Sequence, residues 1–111
     1  MEIKIESKEG LIVVAVDGRL VASCSEELKE RVSTEMEKTP NVVFDFTNMT
    51  HVDSSGLGAL VYLLQRAKAA GGTVRLACLQ PHPRIVFDIT KVFRVFEIYD
   101  TVEAAEKAFN K

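Results

Sequence analysis

The chain has 111 residues, 47% of them apolar and 27% charged, with a net charge of −2; this is the make-up of one ordinary soluble domain with room for a single core. Lys and Arg are scattered along it, which excludes the concentrated basic patch that counterion release on nucleic acid requires. The N-terminus MEIKIESKEG has no secretory leader pattern, and the longest apolar run, residues 57–64 with Gly58 inside it, is far too short to span a bilayer, so the chain reads as cytoplasmic and free of membrane.

Residues 2–6 (EIKIE) alternate strictly, with Ile3 and Ile5 on one face, and predict a half-buried strand. The continuous β-branched run LIVVAV (11–16) predicts a central strand covered on both sides. Asp17-Gly18 signals a turn into a short extended piece over 19–21. Ser23 or Ser25 then caps a helix to about residue 38, whose buried stripe is Cys24, Leu28, Val32 and Met36, and Pro40 closes it. NVVFDF (41–46) is the next strand, followed by a polar connection, TNMTHVD (47–53). A second helix runs from about Ser55 to Ala70 and stops at Gly71-Gly72. TVRLACL (73–79) is a strand; QPHP (80–83) breaks the chain, and Pro83 suits the first turn of a short helix to about Val92. RVFEIY (94–99) is a last strand, and Asp100 to Glu103 resembles a capping box for a final helix with Val102, Ala105, Ala108 and Phe109 on its apolar side.

The order is ββαβαβαβα over a single domain, 1–111. Strands separated by such helices run parallel, while the first two can pair antiparallel, which gives an α/β fold with a mixed sheet and helices packed on it. Cys24 and Cys78 show no CxxC pairing and no histidine at zinc-ligand spacing, so both read as small buried or half-buried apolar residues rather than a disulfide or metal site.

Chemistry concentrates at one junction, HVDSSGLGALVYLLQ (51–65), where open α/β sheets gather functional groups beyond the carboxyl ends of their strands. Asp53 or Ser54 can cap the helix, worth about 1 kcal/mol. A cap does not explain two glycines in the first turn, each costing the helix roughly 1 kcal/mol relative to alanine. A serine hydrolase elbow needs G-x-S-x-G, which neither serine satisfies. His51 lies too close in sequence to Ser55 to be a usual base, and His51 and His82 read as exposed loop residues. Gly56 and Gly58 begin a dinucleotide pattern whose third position is Val61, and no GK[ST] loop occurs. A weak anion site at the helix start is the remaining nucleotide reading.

Residues 42–79, VVFDFTNMTHVDSSGLGALVYLLQRAKAAGGTVRLACL, resemble the core of the STAS domain of bacterial anti-sigma factor antagonists, with its strand, D-[ST]-[ST]-G-[LI]-G, helix, GG, strand layout. Residues 14–20 (VAVDGRL) resemble the family's early strand and Gly-x-Leu turn, and Val86-Phe87-Asp88 with residues 93–96 its C-terminal helix and strand. The resemblance implies a STAS-like fold and a phosphoacceptor at Ser55, the second hydroxyl of the motif. Asp53, Ser54, Gly56, Leu57 and Gly58 would form the surrounding partner-binding motif. Leu57, Leu60, Val61, Tyr62, Leu63 and Leu64 cover more of the helix than one core face needs, so either neighbouring elements cover the excess or the first turn around Leu57 leaves apolar surface beside Ser55. The chain departs from many members in having Val21-Ala22, not an acidic residue, after the Gly-x-Leu turn.

The same resemblance implies a phosphorylation-controlled partner switch. Unphosphorylated, the protein would bind an anti-sigma factor that is also a serine kinase and so release a sigma factor; a PP2C-like phosphatase would reverse the modification. It implies no catalytic residues, cofactor or metal of its own. The alternatives are a small ATP- or GTP-binding or hydrolysing protein, or a STAS component of another stress-signalling assembly.

Overall fold

The alternation in EIKIESK produces strand β1 (Glu2–Lys8), hydrogen-bonded antiparallel to β2 (Leu11–Leu20). The computed structural model describes residues 1–110, so Lys111 of the expected 1–111 domain lies outside the described residues. Asp17-Gly18 is not a turn. Gly18 takes a φ of +92° within β2, where the pairing to the next strand shifts register, and the chain bulges and continues to Leu20. The expected separate piece over 19–21 is therefore mostly the end of β2.

Past the bulge, β2 pairs in parallel with a strand that the sequence pattern does not announce. The expectation of a polar connection over 47–53 fails here, because β3 (Val42–Asp45) is followed by β4 (Met49–Val52), aligned with Gly18, Arg19 and Leu20. Its two buried residues, Met49 and Val52, are three apart, so no period of two is visible. The order is then ββαββαβαβα, one strand more than expected.

Parallel crossovers add β5 (Val74–Ala77) beside β3 and β6 (Glu97–Tyr99) beside β5, giving the path β1-β2-β3-β5-β6. Helices α1 (Ala22–Met36), α2 (Ser54–Ala69) and α3 (Pro81–Thr90) pack their apolar residues with one face of the sheet. Val14, Val16, Phe44, Phe46, Leu60, Leu63 and Phe87 are fully buried there, and the rings of Phe44 and Phe46 stack with centroids 5.6 Å apart. The other face carries Leu11, Val13, Val43 and Ala77 against Ala105 of α4 (Val102–Lys107). Both faces of LIVVAV are thus covered, as its lack of alternation requires. Ile5, Ala15 and Cys78 are only half-buried.

Several ends differ from expectation for local reasons. Helix α1 starts at Ala22 with Val21 as its cap residue and no side-chain cap, so neither Ser23 nor Ser25 caps it. Ser25 takes the stripe position assigned to Cys24, donating to the Val21 carbonyl at 3.0 Å, and Cys24 is half-buried. Helix α3 ends at Thr90, where Lys91 adopts a left-handed conformation, and residues 92–94 form a 3₁₀ turn, so strand β6 begins only at Glu97. Thr101, not Asp100, caps α4, accepting from the Ala104 amide at 3.1 Å. The Gly71-Gly72 stop behaves as expected: Gly71 has φ +89°, its amide reaches the Lys68 carbonyl, and the Gly72 amide reaches the Ala67 carbonyl at 2.8 Å.

The chain from α4 to Phe109 is fastened at two points. Lys8 donates to the Glu106 carboxylate at 2.6 Å, and that hydrogen bond raises the Lys8 ammonium above its ordinary pKa. Arg75 of β5 lies 4.0 Å from the Phe109 ring centroid and pairs with Glu97 at 3.4 Å.

Candidate functional site

Asp53 is the residue on which the junction is built. Its backbone is extended, its amide donates to the Leu20 carbonyl at 3.2 Å, and its carbonyl accepts the Leu57 amide at 3.0 Å, the first turn of α2. One carboxylate oxygen, Oδ1, accepts the Gly56 amide at 2.9 Å, a regular helix cap. The other, Oδ2, accepts the Ala22 amide at 3.3 Å. That amide is the first of α1, whose own cap residue, Val21, offers no side-chain acceptor. One aspartate therefore serves the starts of two helices. The Val21-Ala22 departure noted in the sequence coincides with the position that receives this second bond.

Asp53 satisfies the Gly56 and Leu57 amides, which leaves the Ser54 and Ser55 amides, among the described residues, as the first-turn donors of α2 that face outward. Both serines are exposed. No hydrogen bond joins Ser55 to a histidine or to Asp53 among the described residues. The site presents a free hydroxyl at the positive end of a sixteen-residue helix.

The two glycines do different work. A Cβ on Gly56 would lie 2.5 Å from the Leu20 carbonyl oxygen and 2.9 Å from Val52 Cγ2, so glycine there lets α2 sit against the ends of β2 and β4. At Gly58 a Cβ would meet nothing within 4 Å. Gly58 instead helps to line an open, mainly apolar groove of about 400 Å³ with Ser54, Leu57, Val61, Tyr62 and Gln65 of α2, and with Thr90 and Val92 beyond it.

Of the two readings of Leu57, coverage by neighbouring elements is the one observed, and Leu57 leaves no apolar surface beside Ser55. It is 4% exposed and belongs to the main core, because α2 turns that position onto the sheet. The apolar surface on this side comes from half-buried Val61 and from Tyr62, which is 39% exposed. Lys29 of α1 and Arg66 both lie over the Tyr62 ring, at 5.0 and 5.8 Å from its centroid. The sequence pattern counts Tyr62 in the apolar excess without placing it at the surface, and misses Gln65, because helical periodicity alone does not say which residues a neighbouring helix leaves uncovered.

His51 and His82 are exposed as expected but stand on β4 and in the first turn of α3 rather than in loops. Their rings face each other at 5.9 Å across a second crevice that includes Thr47, Asn48 and Gln80. Cys24 and Cys78 are free thiols, and no cluster of three metal-ligating side chains occurs among the described residues. No helix among them is long and apolar enough to cross a membrane.

Among known proteins, the chain is similar to the Bordetella bronchiseptica protein BtrV, named as a candidate anti-sigma factor antagonist, at 24% identity over 98% of this chain and 95% of that protein. It is 22% identical to the anti-sigma F factor antagonist of Paenibacillus polymyxa over 90% of this chain and 87% of the relative. In structure it resembles the anti-sigma factor antagonist SpoIIAA in its unphosphorylated form, with a TM-score of 0.86 at 20% identity over 98% and 96% of the two chains. The phosphorylated form of the Bacillus protein SpoIIAA gives a TM-score of 0.76 at 21% identity over 97% and 99%. The family model for the STAS domain matches residues 2–105, a span that runs from β1 into α4 and contains the whole Asp53–Gly58 junction; the chain belongs to the STAS domain family.

Proposed function

We propose that this STAS protein is an anti-sigma factor antagonist and that Ser55 is its phosphoacceptor. The observation that carries the reading is the exposed Ser55 hydroxyl on a helix end already anchored through Asp53, beside a groove whose floor Gly58 leaves free of a side chain. The curated relatives bear that functional name, and SpoIIAA occurs in both unphosphorylated and phosphorylated forms. Unphosphorylated, the protein docks an anti-sigma factor kinase on the groove and the α2 start, which frees a sigma factor in the cytoplasm. The kinase transfers the γ-phosphoryl of ATP to Ser55, and a PP2C-like phosphatase removes it. On this reading the protein is a substrate and binding module and catalyses neither step.

Phosphorylation adds about −1.5 to −2 charges to a surface that was neutral and partly apolar. The helix dipole and the outward-facing Ser54 and Ser55 amides tolerate that charge, so the cost falls on the partner that must desolvate it. A penalty of roughly 3–4 kcal/mol corresponds to a loss of between two and three orders of magnitude in affinity.

The test is incubation with ATP and an anti-sigma factor kinase, followed by mass spectrometry of the intact chain and its peptides. One phosphoryl group on Ser55, absent from Ser55→Ala and present on Ser54→Ala, is the expected result. Phosphate on Ser54, or none on any residue with every such kinase, overturns the assignment. Titration with ATP and GTP alone addresses the nucleotide-binding alternative, which predicts micromolar affinity or turnover.

A further inference from the structure

Strand β1 has seven residues and pairs, among the described residues, with β2 alone, which leaves its other edge open along its length. The opposite end of the sheet closes with the three-residue β6. Exposed edges are usually blunted by proline, bulges or short length. Strand β1 has neither proline nor glycine, and its register with β2 runs unbroken from Glu2–Asp17 to Lys8–Leu11.

Charge is the remaining protective device, and here its pattern favours one partner. Glu2, Lys4, Glu6 and Lys8 alternate in sign along one face of the strand, while Ile3, Ile5 and Ser7 occupy the other. If two copies pair antiparallel about a two-fold axis at Ile5, Glu2 stands opposite Lys8, Lys4 opposite Glu6, and Ile5 opposite Ile5. Moving the axis to Lys4 sets Lys4 against itself and Glu2 against Glu6. Moving it to Glu6 sets Glu6 against itself and Lys4 against Lys8. Odd registers place lysine or glutamate opposite isoleucine and put the helices of the two copies on opposite faces of the sheet. Only the register centred on Ile5 matches every charge.

The surroundings suit this pairing. Glu2 and Glu6 have side chains 68% and 70% exposed, so both can turn toward a second copy. Lys4 pairs with Glu2 at 3.6 Å and with Asp17 of β2 at 3.7 Å, and Lys8 with Glu6 at 3.8 Å and with Glu106 of α4 at 2.6 Å. Pairing across the edge adds a further carboxylate to each lysine. Half-buried Ile5 lies in an open groove with Ser7 of β1 and Arg31, Thr34 and Glu35 of α1, which the Ile5 of a second copy would cover.

We propose that the protein forms a two-fold dimer by antiparallel pairing of its β1 edges centred on Ile5, which joins the two sheets into one. The inference does not depend on the role of Ser55, and its test leaves Ser55 untouched. Sedimentation velocity on the full chain, from micromolar to near-millimolar concentration, should show a reversible monomer–dimer equilibrium. K4E and E6K each turn two symmetry-related attractive pairs repulsive, and each should weaken self-association about tenfold or more. The double variant K4E/E6K restores the match and should dimerise like the wild type. An equimolar mixture of K4E and E6K should form a heterodimer, because the carboxylate introduced in one variant then faces the ammonium introduced in the other. Circular dichroism checks that each variant is folded. Amide exchange on the wild type gives an independent reading, since outward-facing β1 amides should gain protection as concentration rises. A wild type that stays monomeric throughout, a dimer indifferent to both single reversals, or a mixture that fails to associate would each overturn the proposal.

Discussion

At Gly56 a methyl group would have to share space with the Leu20 carbonyl oxygen, 2.5 Å away, whereas at Gly58 it would project into solvent. Gly56→Ala should therefore destabilise the domain by about 1–3 kcal/mol as α2 is pushed off the strand ends. Gly58→Ala should stabilise it by about 0.5–1 kcal/mol through better helix propensity, and should weaken partner binding by raising the groove floor. Urea denaturation beside a binding titration separates the two, and equal effects on stability would contradict their opposite surroundings. Leu57→Ala belongs with Gly56, because a core leucine lost should cost about 2–5 kcal/mol in the same denaturation series. Asp53→Ala removes two helix caps and should cost about 1–3 kcal/mol. Asp53→Asn keeps an acceptor for Gly56 but presents an NH₂ to Ala22, so it should fall between alanine and wild type. The cap on α2 is legible in D-S-S-G. The bond to Ala22 is not, since it spans 31 positions and no local pattern encodes it.

Among the elements, those with strong internal patterns are the ones readable in advance. The continuous apolar runs LIVVAV and NVVFDF and the apolar α2 each carry a pattern set by their own burial. Phe44, fully buried and stacked on Phe46, shows what that burial is worth: Phe44→Ala should cost about 3–5 kcal/mol in chemical denaturation, and a loss under about 1 kcal/mol would remove it from the core. Strand β4 is different. MTHV has only four residues and a half-polar composition, and it is a strand because the bulged extension of β2 offers it a hydrogen-bonding edge. The same holds for the start of α1, whose cap comes from the beginning of α2. Elements defined by a neighbour rather than by their own pattern escaped the sequence.

For the whole molecule, the α/β class is legible in the alternation of strand and helix patterns, and the DSSGLG junction stands out because its glycines and hydroxyls interrupt an otherwise apolar helix. The groove was not evident, since it depends on how α2 and the turn after α3 leave Tyr62, Thr90 and Val92. Ser55 sits on a frame in which the starts of α1 and α2 are tied to one carboxylate and Gly56 is wedged against Leu20 and Val52. Such a frame has little room to rearrange when charge is added outside it. Ser55→Asp should therefore melt at nearly the wild-type temperature while losing most partner affinity, and a large fall in melting temperature would show that the charge acts through the fold.

The rigidity of that frame bears on how long a signal lasts. A switch that stores its state as an alternative fold relaxes on the timescale of collective motion, on the order of microseconds to seconds. With Asp53 holding both helices, rearranging the frame would break both caps at once, so on the proposed mechanism the record is the phosphate ester alone. The memory of the last kinase encounter would then persist for as long as that ester survives, and its lifetime would be set by the enzyme that erases it.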